Sequence, residues 1–271
     1  METNKIYQGD CLELMKQIED KSIDLILCDL PYGVTQNEAD KVIDLKLLWE
    51  QYKRIITDNG TIVLTAQQPF TTDLINSNRG MFRYDLIWDK RLVTGFLNAK
   101  RMPLRSHEHI LVFYKNLGIY NPQFTIGNPL HSKGINYKNK DIKNQNYGKF
   151  VQLDDNRKGS LEKYPVSIIK IDKKHPSIQE HPTEKPVKLA EWIIKTYTNK
   201  EDLVLDNCIG TGWTAIACLK NNRNFIGIEL NKEYCKISNE RIQKELSQSK
   251  LNNEVGIPPK PKDLGILPTI I

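Results

Sequence analysis

The sequence predicts an α/β fold in which helices cover both faces of a mostly parallel sheet. Short apolar runs typical of buried strands alternate along the chain with amphipathic stretches of helical period. This alternation is the pattern of a parallel sheet, whose ligands bind at the carboxyl ends of the strands. The length of 271 residues suits one such domain with an insertion.

The composition narrows the class of protein. Hydrophobic residues make up 39% of the chain and charged residues 27%, which excludes a disordered chain and a membrane protein. No apolar leader segment follows Met1, so a soluble cytoplasmic protein is expected. The cysteines lack C-x-x-C spacing and predict neither a disulfide framework nor a zinc site; they are Cys11, Cys28, Cys208, Cys218 and Cys235.

Strands and helices alternate in the first half of the chain. The amphipathic stretch 12–18 predicts a helix, and the apolar run 23–28 predicts a buried strand. Pro31 and Gly33 end this strand, because proline cannot continue a central strand and glycine permits a turn. The spacing further predicts helices at 44–57 and 69–77 and strands at 61–65, 83–89 and 109–114.

Residues 115–180 interrupt the alternation with a loop-rich insertion that contains one predicted strand, 166–171. Residues 131–174 contain 11 Lys/Arg and 5 Asp/Glu, and the difference of +6 equals the net charge of the whole chain. This segment is therefore predicted to contact an anionic partner; the alternative is a solvated surface loop. The alternation then resumes with predicted helices at 186–198, 213–220 and 231–246 and strands at 203–205 and 225–229.

A glycine-rich turn, Asp206-Asn-Cys-Ile-Gly-Thr-Gly212, links a predicted strand to a predicted helix. Glycines let the backbone turn tightly and let a ligand approach closely. Glu229 ends the next predicted strand, where its carboxylate can accept hydrogen bonds from both ribose hydroxyls of a nucleoside. A nucleoside cofactor is predicted here; a dinucleotide stays an alternative, because Gly210, Gly212 and Ala215 also fit G-x-G-x-x-A.

A second turn, Asp29-Leu30-Pro31-Tyr32, follows the strand predicted at 23–28. Its chemistry suits an amino group on a flat ring. Asp29 and the Leu30 carbonyl can each accept one amino hydrogen, and Tyr32 offers a face for stacking. The alternative interpretation is a simple turn with a core tyrosine.

With these turns the chain resembles the amino-group DNA methyltransferases. Asp29–Tyr32 corresponds to their catalytic Asp-Pro-Pro-Tyr, and Asp206–Gly212 to their cofactor signature Asp-Pro-Phe-x-Gly-Ser-Gly. The segments His181–Pro186, Gly9–Cys11 and His107–Phe113 also fit the family. The catalytic loop precedes the cofactor loop with the insertion between them, and this order is that of the permuted β class.

The resemblance implies a Rossmann-like methyltransferase fold, with a mostly parallel seven-stranded sheet that contains one antiparallel strand. It implies a discontinuous catalytic domain formed by residues 1–115 and 180–248. Residues 116–179 are then a basic target-recognition insertion, and the proline-rich residues 249–271 are predicted to be a flexible tail.

Roles for individual residues follow from the resemblance. The catalytic loop is Asp29, Leu30, Pro31 and Tyr32. Residues expected to hold S-adenosylmethionine are Asp10, Cys11, Asp29, Thr183, Lys185, Asp206, Cys208, Gly210, Thr211, Gly212, Trp213 and Glu229. Residues expected on DNA phosphates are Lys133, Lys138, Lys140, Lys143, Lys149, Arg157 and Lys158.

The implied reaction moves a methyl group from S-adenosylmethionine to the exocyclic amino group of an adenine flipped out of double-stranded DNA. Asp29 favours adenine, since cytosine-N4 members of the family usually carry serine at this position. A cytosine-N4 enzyme stays an alternative. So does an inactive DNA-binding relative, because Leu30, Asn207 and Cys208 depart from the family signatures.

The expected partner is double-stranded DNA. The sequence leaves open whether a second copy of the chain and a separate restriction endonuclease are partners as well. The protein is expected in the cytoplasm of a bacterium, encoded by the bacterium or by its phage. No membrane and no metal are expected. His107, Glu108 and His109 alternate along a predicted strand and are poor chelators without further ligands, and the methyl transfer needs no metal.

Overall fold

The structure is a computed structural model that describes residues 1–33, 41–129, 159–173 and 184–254, with side chains up to residue 248. Its strands are β1 (Lys5–Gln8), β2 (Ile23–Cys28), β3 (Ile56–Ala66), β4 (Phe82–Thr94), β5 (Arg105–Tyr114), β6 (Thr125–Ile126), β7 (Glu162–Lys163), β8 (Ile168–Lys170), β9 (Leu203–Asp206) and β10 (Asn224–Glu229). Its helices are α1 (Cys11–Met15), α2 (Leu45–Ile55), α3 (Phe70–Ser77), α4 (Val187–Tyr197), α5 (Trp213–Lys220) and α6 (Lys232–Glu254).

Eight of these strands form one sheet in the order β1-β10-β9-β2-β3-β5-β4-β8. Neighbours from β1 to β3 are parallel, β5 runs antiparallel to both β3 and β4, and β8 is parallel to β4. The mostly parallel sheet with one antiparallel strand is thus confirmed. The sheet has eight strands instead of the expected seven. The additional strand is β8, which lies within the predicted strand 166–171 and pairs with Ile87–Asp89 of β4 at the edge of the sheet.

Helices cover both faces of the sheet because alternate side chains of each strand enter different cores. On β2, Ile26 and Cys28 pack with α1, α2 and α3, whereas Leu25 and Leu27 pack with α4 and α5. All four side chains are fully buried. This two-sided burial explains why the central strands are continuous apolar runs.

Several element bounds differ from those predicted. β1 falls where no strand was predicted, since its alternate burial is weak in so short a segment. α2 ends at Ile55, and β3 begins at the next residue. α6 continues to Glu254, so the predicted boundary of the tail at residue 249 lies inside this helix, and residues 255–271 lie outside the described part.

The described residues divide into two compact units. Residues 1–121 and 166–254 contain the eight-stranded sheet, and residues 122–129 and 159–165 contain the β6–β7 ribbon. Thr183 and the seven basic residues predicted on DNA lie outside the described residues, so their roles stay predictions. Within the described ranges, no helix has the length and apolar character needed to cross a membrane.

Candidate active site

The carboxyl ends of four parallel strands bring the two predicted turns to one edge of the sheet. β1 pairs with β10 with Gln8 opposite Glu229, and β9 lies between β10 and β2. The turn after β9 begins at Asp206, and the turn after β2 begins at Asp29. Two segments far apart in the sequence therefore lie side by side because neighbouring parallel strands end together.

The carboxylate of Asp29 is held by three side chains. Its Oδ1 accepts hydrogen bonds from the Tyr32 hydroxyl at 2.7 Å and from the Thr65 hydroxyl. Its Oδ2 lies 2.7 Å from Lys185 Nζ. The Tyr32 ring in turn stacks on Phe70, with 5.6 Å between the ring centroids. These contacts fix the direction in which Asp29 presents its remaining lone pairs.

Leu30 directs its side chain into the core, where it is 3% exposed. Within the described residues no hydrogen bond reaches the Leu30 carbonyl. Leucine in place of the family's proline thus anchors the loop by packing, and its carbonyl stays available to an amino group.

A buried ion network lies behind Asp29. Lys185 Nζ is 3.1 Å from Glu108 Oε2, and Lys90 Nζ is 3.3 Å from Glu108 Oε1. The exposed fractions are 6% for Lys185, 4% for Glu108 and 1% for Lys90. Two lysines and two carboxylates, Asp29 included, therefore alternate along this network of ion pairs.

The network keeps its buried members ionised. Burial by itself lowers the pKa of Lys185, but Asp29 and Glu108 more than offset this and raise it well above its usual value. Burial likewise opposes the charge of Glu108, yet Lys185 and Lys90 leave the pKa of Glu108 below its usual value. Each charge is thus stabilised by its neighbours rather than by water.

Sequence reasoning missed Thr65, Phe70 and Lys90, and it considered Glu108 only as a metal ligand. One signal was present: Glu108 is in phase with Ile110 and Val112, both buried on β5. Side chains two residues apart on a strand share a face. A carboxylate in that phase is buried and needs a cationic partner.

The turn after β9 is preorganised by its own hydrogen bonds. The buried Asp206 carboxylate accepts from the Cys208 amide at 3.1 Å and from the Thr214 hydroxyl at 2.6 Å. The Glu229 carboxylate accepts from the Gly210 amide at 2.9 Å and from the Asn231 amide at 2.8 Å. Glu229 therefore lies directly against the glycine-rich turn.

Both glycines of this turn have left-handed backbone conformations. Gly212 has φ +89°, and a Cβ there would lie 2.9 Å from Ser238 Cβ on α6. Gly210 has φ +54°, and a Cβ there would meet no atom within 4 Å. Gly212 thus allows close packing against α6, and Gly210 leaves open space where a ligand can approach the backbone.

Asn207 and Cys208, the two residues of this turn that differ from the family signature, each contact side chains elsewhere in the core. Asn207 Oδ1 accepts a hydrogen bond of 2.5 Å from Tyr52, which ties the turn to α2. Cys208 lies against the thiols of Cys11 and Cys28. Burial raises the pKa of Cys28 to about 12. The contact between Cys11 and Cys208 raises the pKa of Cys11. These thiols stay protonated at neutral pH and supply no thiolate nucleophile.

The remaining predicted cofactor residues lie at different depths. Asp10 is exposed and caps α1 by accepting from the Leu12 amide at 2.8 Å. Thr211 is buried, and its carbonyl accepts from Arg241 at 2.8 Å. Trp213, the first residue of α5, is buried in the core. The ammonium of Lys185 pairs with Asp29 and Glu108, so its contact with the cofactor stays a prediction.

Within the ranges the structure describes, no three His, Cys, Asp or Glu side chains are grouped so that they could hold a metal ion. His107 and His109 stack edge to face at 5.7 Å, and His109 Nδ1 lies 3.2 Å from Asp85 Oδ2. The five cysteines are free thiols.

Asp206 is expected to make stability depend on pH. Burial raises the pKa of Asp206 to about 7, although hydrogen bonds from Thr214 and Cys208 oppose the rise. An unfolded Asp titrates near about 3.9, so the folded state binds the extra proton and loses stability as the pH rises from about 4 to about 7. Relative to wild type, Asp206→Asn is expected to gain up to about 4 kcal/mol of unfolding free energy over this range.

Urea unfolding of both proteins at about pH 4.5 and about pH 8 measures this difference. Asp73→Asn, at an exposed carboxylate on α3, is the matched control and is expected to show no such gain. An equal pH dependence in Asp206→Asn and wild type would contradict the prediction.

An α/β fold with a glycine-rich turn and an oriented carboxylate at one sheet edge is the arrangement expected of a group-transfer enzyme with a nucleoside-type cofactor. Among curated proteins, the type II methyltransferase M1.MboII of Moraxella bovis is 30% identical over 262 residues, covering 88% of this chain and 96% of the relative. The DNA adenine methyltransferase YhdJ of Escherichia coli strain K12 is 27% identical over 259 residues, covering 89% and 83%.

Solved structures share the fold. The M1.HpyAVI–SAM complex matches with a TM-score of 0.59 and 24% identity, covering 88% of this chain and 98% of that one. The cytosine-N4-specific PvuII DNA methyltransferase matches with a TM-score of 0.60 and 15% identity, covering 90% and 91%.

A family model for N6/N4 methyltransferases, described as DNA methylase, matches residues 23–240. This range includes both turns and the insertion between them. The chain belongs to the amino-group (N6/N4) DNA methyltransferase family.

Proposed function

We propose that this protein transfers a methyl group from S-adenosylmethionine to the N6 amino group of an adenine in double-stranded DNA. The observation that carries the proposal is the position of Asp29. Its carboxylate is oriented by Tyr32, Thr65 and Lys185 at the same sheet edge as the glycine-rich turn. An acceptor fixed beside a nucleoside site suits an amino group that must be held while it reacts.

Asp29 and the Leu30 carbonyl would accept the two hydrogens of the target amine. The amine's lone pair is delocalised into the base, and acceptors on both hydrogens favour a more tetrahedral, more nucleophilic nitrogen. Because Lys185, Tyr32 and Thr65 already hold Asp29, little reorganisation accompanies the reaction. The carboxylate also provides a place for the proton that leaves the nitrogen.

The residues of the glycine-rich turn fit S-adenosylmethionine. Open space above Gly210 lets a ligand reach the backbone, and Glu229 lies against that turn with lone pairs free for ribose hydroxyls. Asp10 and Asp206 would complete the site at the ends of β1 and β9. When bound, S-adenosylmethionine supplies the methyl group from its sulfonium. The SAM complex of the fold relative M1.HpyAVI supports this choice of donor.

Cytosine-N4 is the second candidate, and the likeness to the PvuII enzyme is the observation that favours it. Accepting hydrogens from an exocyclic amine serves either base. Asp29 supports adenine, because cytosine-N4 members of the family usually carry serine there, and YhdJ is an adenine methyltransferase by name.

The basic insertion is proposed to hold DNA through its lysines. They would neutralise phosphates and position the duplex without reading its sequence. Methylation without cleavage by this chain agrees with the type II methyltransferase M1.MboII among its relatives. A second copy of the chain and a separate endonuclease stay predictions.

Methylation-sensitive sequencing of DNA from cells that express the chain tests the proposed function. We expect N6-methyladenine at one short recognition sequence, and no methylation there in cells that express Asp29→Ala. N4-methylcytosine at a fixed site would instead show that the protein is a cytosine-N4 methyltransferase, the second candidate. Unmodified DNA, together with normal binding of S-adenosylmethionine by the purified protein, would indicate an inactive relative.

A further inference from the structure

The loop between β4 and β5 exposes an apolar cluster. We call residues 91–106 the hairpin tip. Leu97 is 99% exposed and Phe96 is 79% exposed, and they are joined by Val93 and Met102, each at least half exposed. Single exposed apolar residues are ordinary, but four of them within one short loop indicate an interaction site.

The hairpin tip is also strongly basic. It contains Arg91, Lys100, Arg101 and Arg105 and no acidic residue. Within the described part of the chain, Lys100 and Arg101 form no ion pair, and both are exposed. Free cations around an apolar cluster indicate a partner that is anionic on its surface and apolar between its charges. The DNA duplex has this character, with phosphates outside and stacked bases inside.

The hairpin tip extends from the same sheet edge as the catalytic loop. β4 runs in the same direction as β2, so β4 ends at the sheet edge where Asp29 lies. β5 runs the opposite way and begins at that edge. Glu108, three residues into β5 from Arg105, contacts Lys185, which contacts Asp29. Arg105 also donates a hydrogen bond of 3.1 Å to Gln67, just after β3. The base of the tip is therefore fixed beside the catalytic residues.

We propose that Phe96 and Leu97 form a wedge that enters the base stack of DNA at the position vacated by the target base. This inference rests on the proposed function, since the target amine must leave the duplex to reach Asp29. Apolar side chains inserted between base steps are an established way to hold distorted DNA. The cations of the hairpin tip contact the flanking phosphates and keep the wedge in register.

The test compares two double-stranded oligonucleotides that contain the recognition sequence found by sequencing. In one the target base is paired, and in the other it faces an abasic site and is already free to leave the stack. For F96S/L97S we expect kcat/KM on the paired duplex to fall about tenfold, because stacking support for the opened site is lost. On the abasic-opposed duplex we expect a change below about twofold.

Leu117→Ser is the matched control. Leu117 is 75% exposed and follows the carboxyl end of β5, at the sheet edge opposite the catalytic loop. It is expected to act like wild type on both duplexes. Equal losses on both duplexes for F96S/L97S, or no loss on either, would overturn the wedge. Conversion of a dimer to a monomer by F96S/L97S, seen by sedimentation, would overturn it in favour of a subunit interface.

A second variant tests the phosphate contacts. For K100Q/R101Q we expect weaker binding to both duplexes, with the slope of log K against log salt reduced by about two. K53Q/K200Q removes two exposed cations that lie at the opposite edge, and it is expected to leave the slope unchanged. If the slope of log K against log salt is unchanged in K100Q/R101Q, the hairpin tip does not contact DNA phosphates and the proposal is wrong. Failure of the wild type to methylate either duplex would instead contradict the proposed function.

Discussion

Asp29→Ala is expected to lower kcat for DNA methylation by at least about 10²–10³-fold, the loss typical of one essential group that acts on the transition state. The variant removes the acceptor of the amino hydrogen and the place where its proton goes. Folding is expected to survive, because Lys185 keeps its ion pair with Glu108 at 3.1 Å. Transfer of labelled methyl groups to DNA measures the loss.

Binding of S-adenosylmethionine to Asp29→Ala, measured by calorimetry, is expected to stay within a few-fold of wild type. The glycine-rich turn keeps its contacts to Glu229 and Asp206, neither of which touches the Asp29 side chain. Asp58→Ala is the matched control, since Asp58 is an exposed carboxylate paired with Lys21 and Lys115. Full activity in Asp29→Ala would refute the catalytic assignment.

Lys185→Met is expected to cost about 3–5 kcal/mol of unfolding free energy, because it leaves the buried Glu108 and the partly buried Asp29 without this cation. Asp29 loses its contact at 2.7 Å and Glu108 its contact at 3.1 Å, and Glu108 keeps its ion pair with Lys90 at 3.3 Å. Urea unfolding measures the change. In wild type Lys185 is the main cause of the lowered pKa of Glu108, and its loss raises that pKa. The deficit relative to wild type is therefore expected to grow as the pH rises through the titration of Glu108.

Two further variants test whether the loss of stability in Lys185→Met comes from the buried ion network. Lys220→Met breaks a partly exposed pair with Glu245 at 3.5 Å and is expected to cost less than about 1 kcal/mol. Lys185→Met/Glu108→Gln removes one of the uncompensated charges and is expected to recover part of the stability lost in Lys185→Met. A cost for Lys185→Met as small as that for Lys220→Met would show that the network does not stabilise the fold.

The glycine-rich turn was predictable because its signals are local. A buried strand, two glycines and a helix within residues 203–220 specify a turn at a strand end. The same reasoning placed Glu229 and Asp29 at strand ends, and parallel pairing then brings all three segments to one edge. Even the departures at Asn207 and Cys208 leave this geometry intact, since their partners come from elsewhere in the core.

The ion network was not predictable in the same way. Lys185 and Asp29 are 156 residues apart, and their contact depends on how the segment before α4 crosses the end of β2. Glu108 and Lys90 meet only because β4 and β5 pair in one particular register, with Trp88 opposite Glu108. Such contacts depend on register and packing across the sheet, which no local pattern encodes.

By itself, then, the sequence determined the alternation of the fold, the two turns and the amino-group chemistry they suggest, because periodicity and turn residues act over short stretches. Tertiary structure decided the rest. Pairing of distant strands surrounded Asp29 with Tyr32, Thr65 and Lys185 and buried two lysines with Glu108. It also brought the base of the apolar and basic hairpin tip beside Asp29 and Lys185, since the register of β4 on β5 sets where that loop emerges.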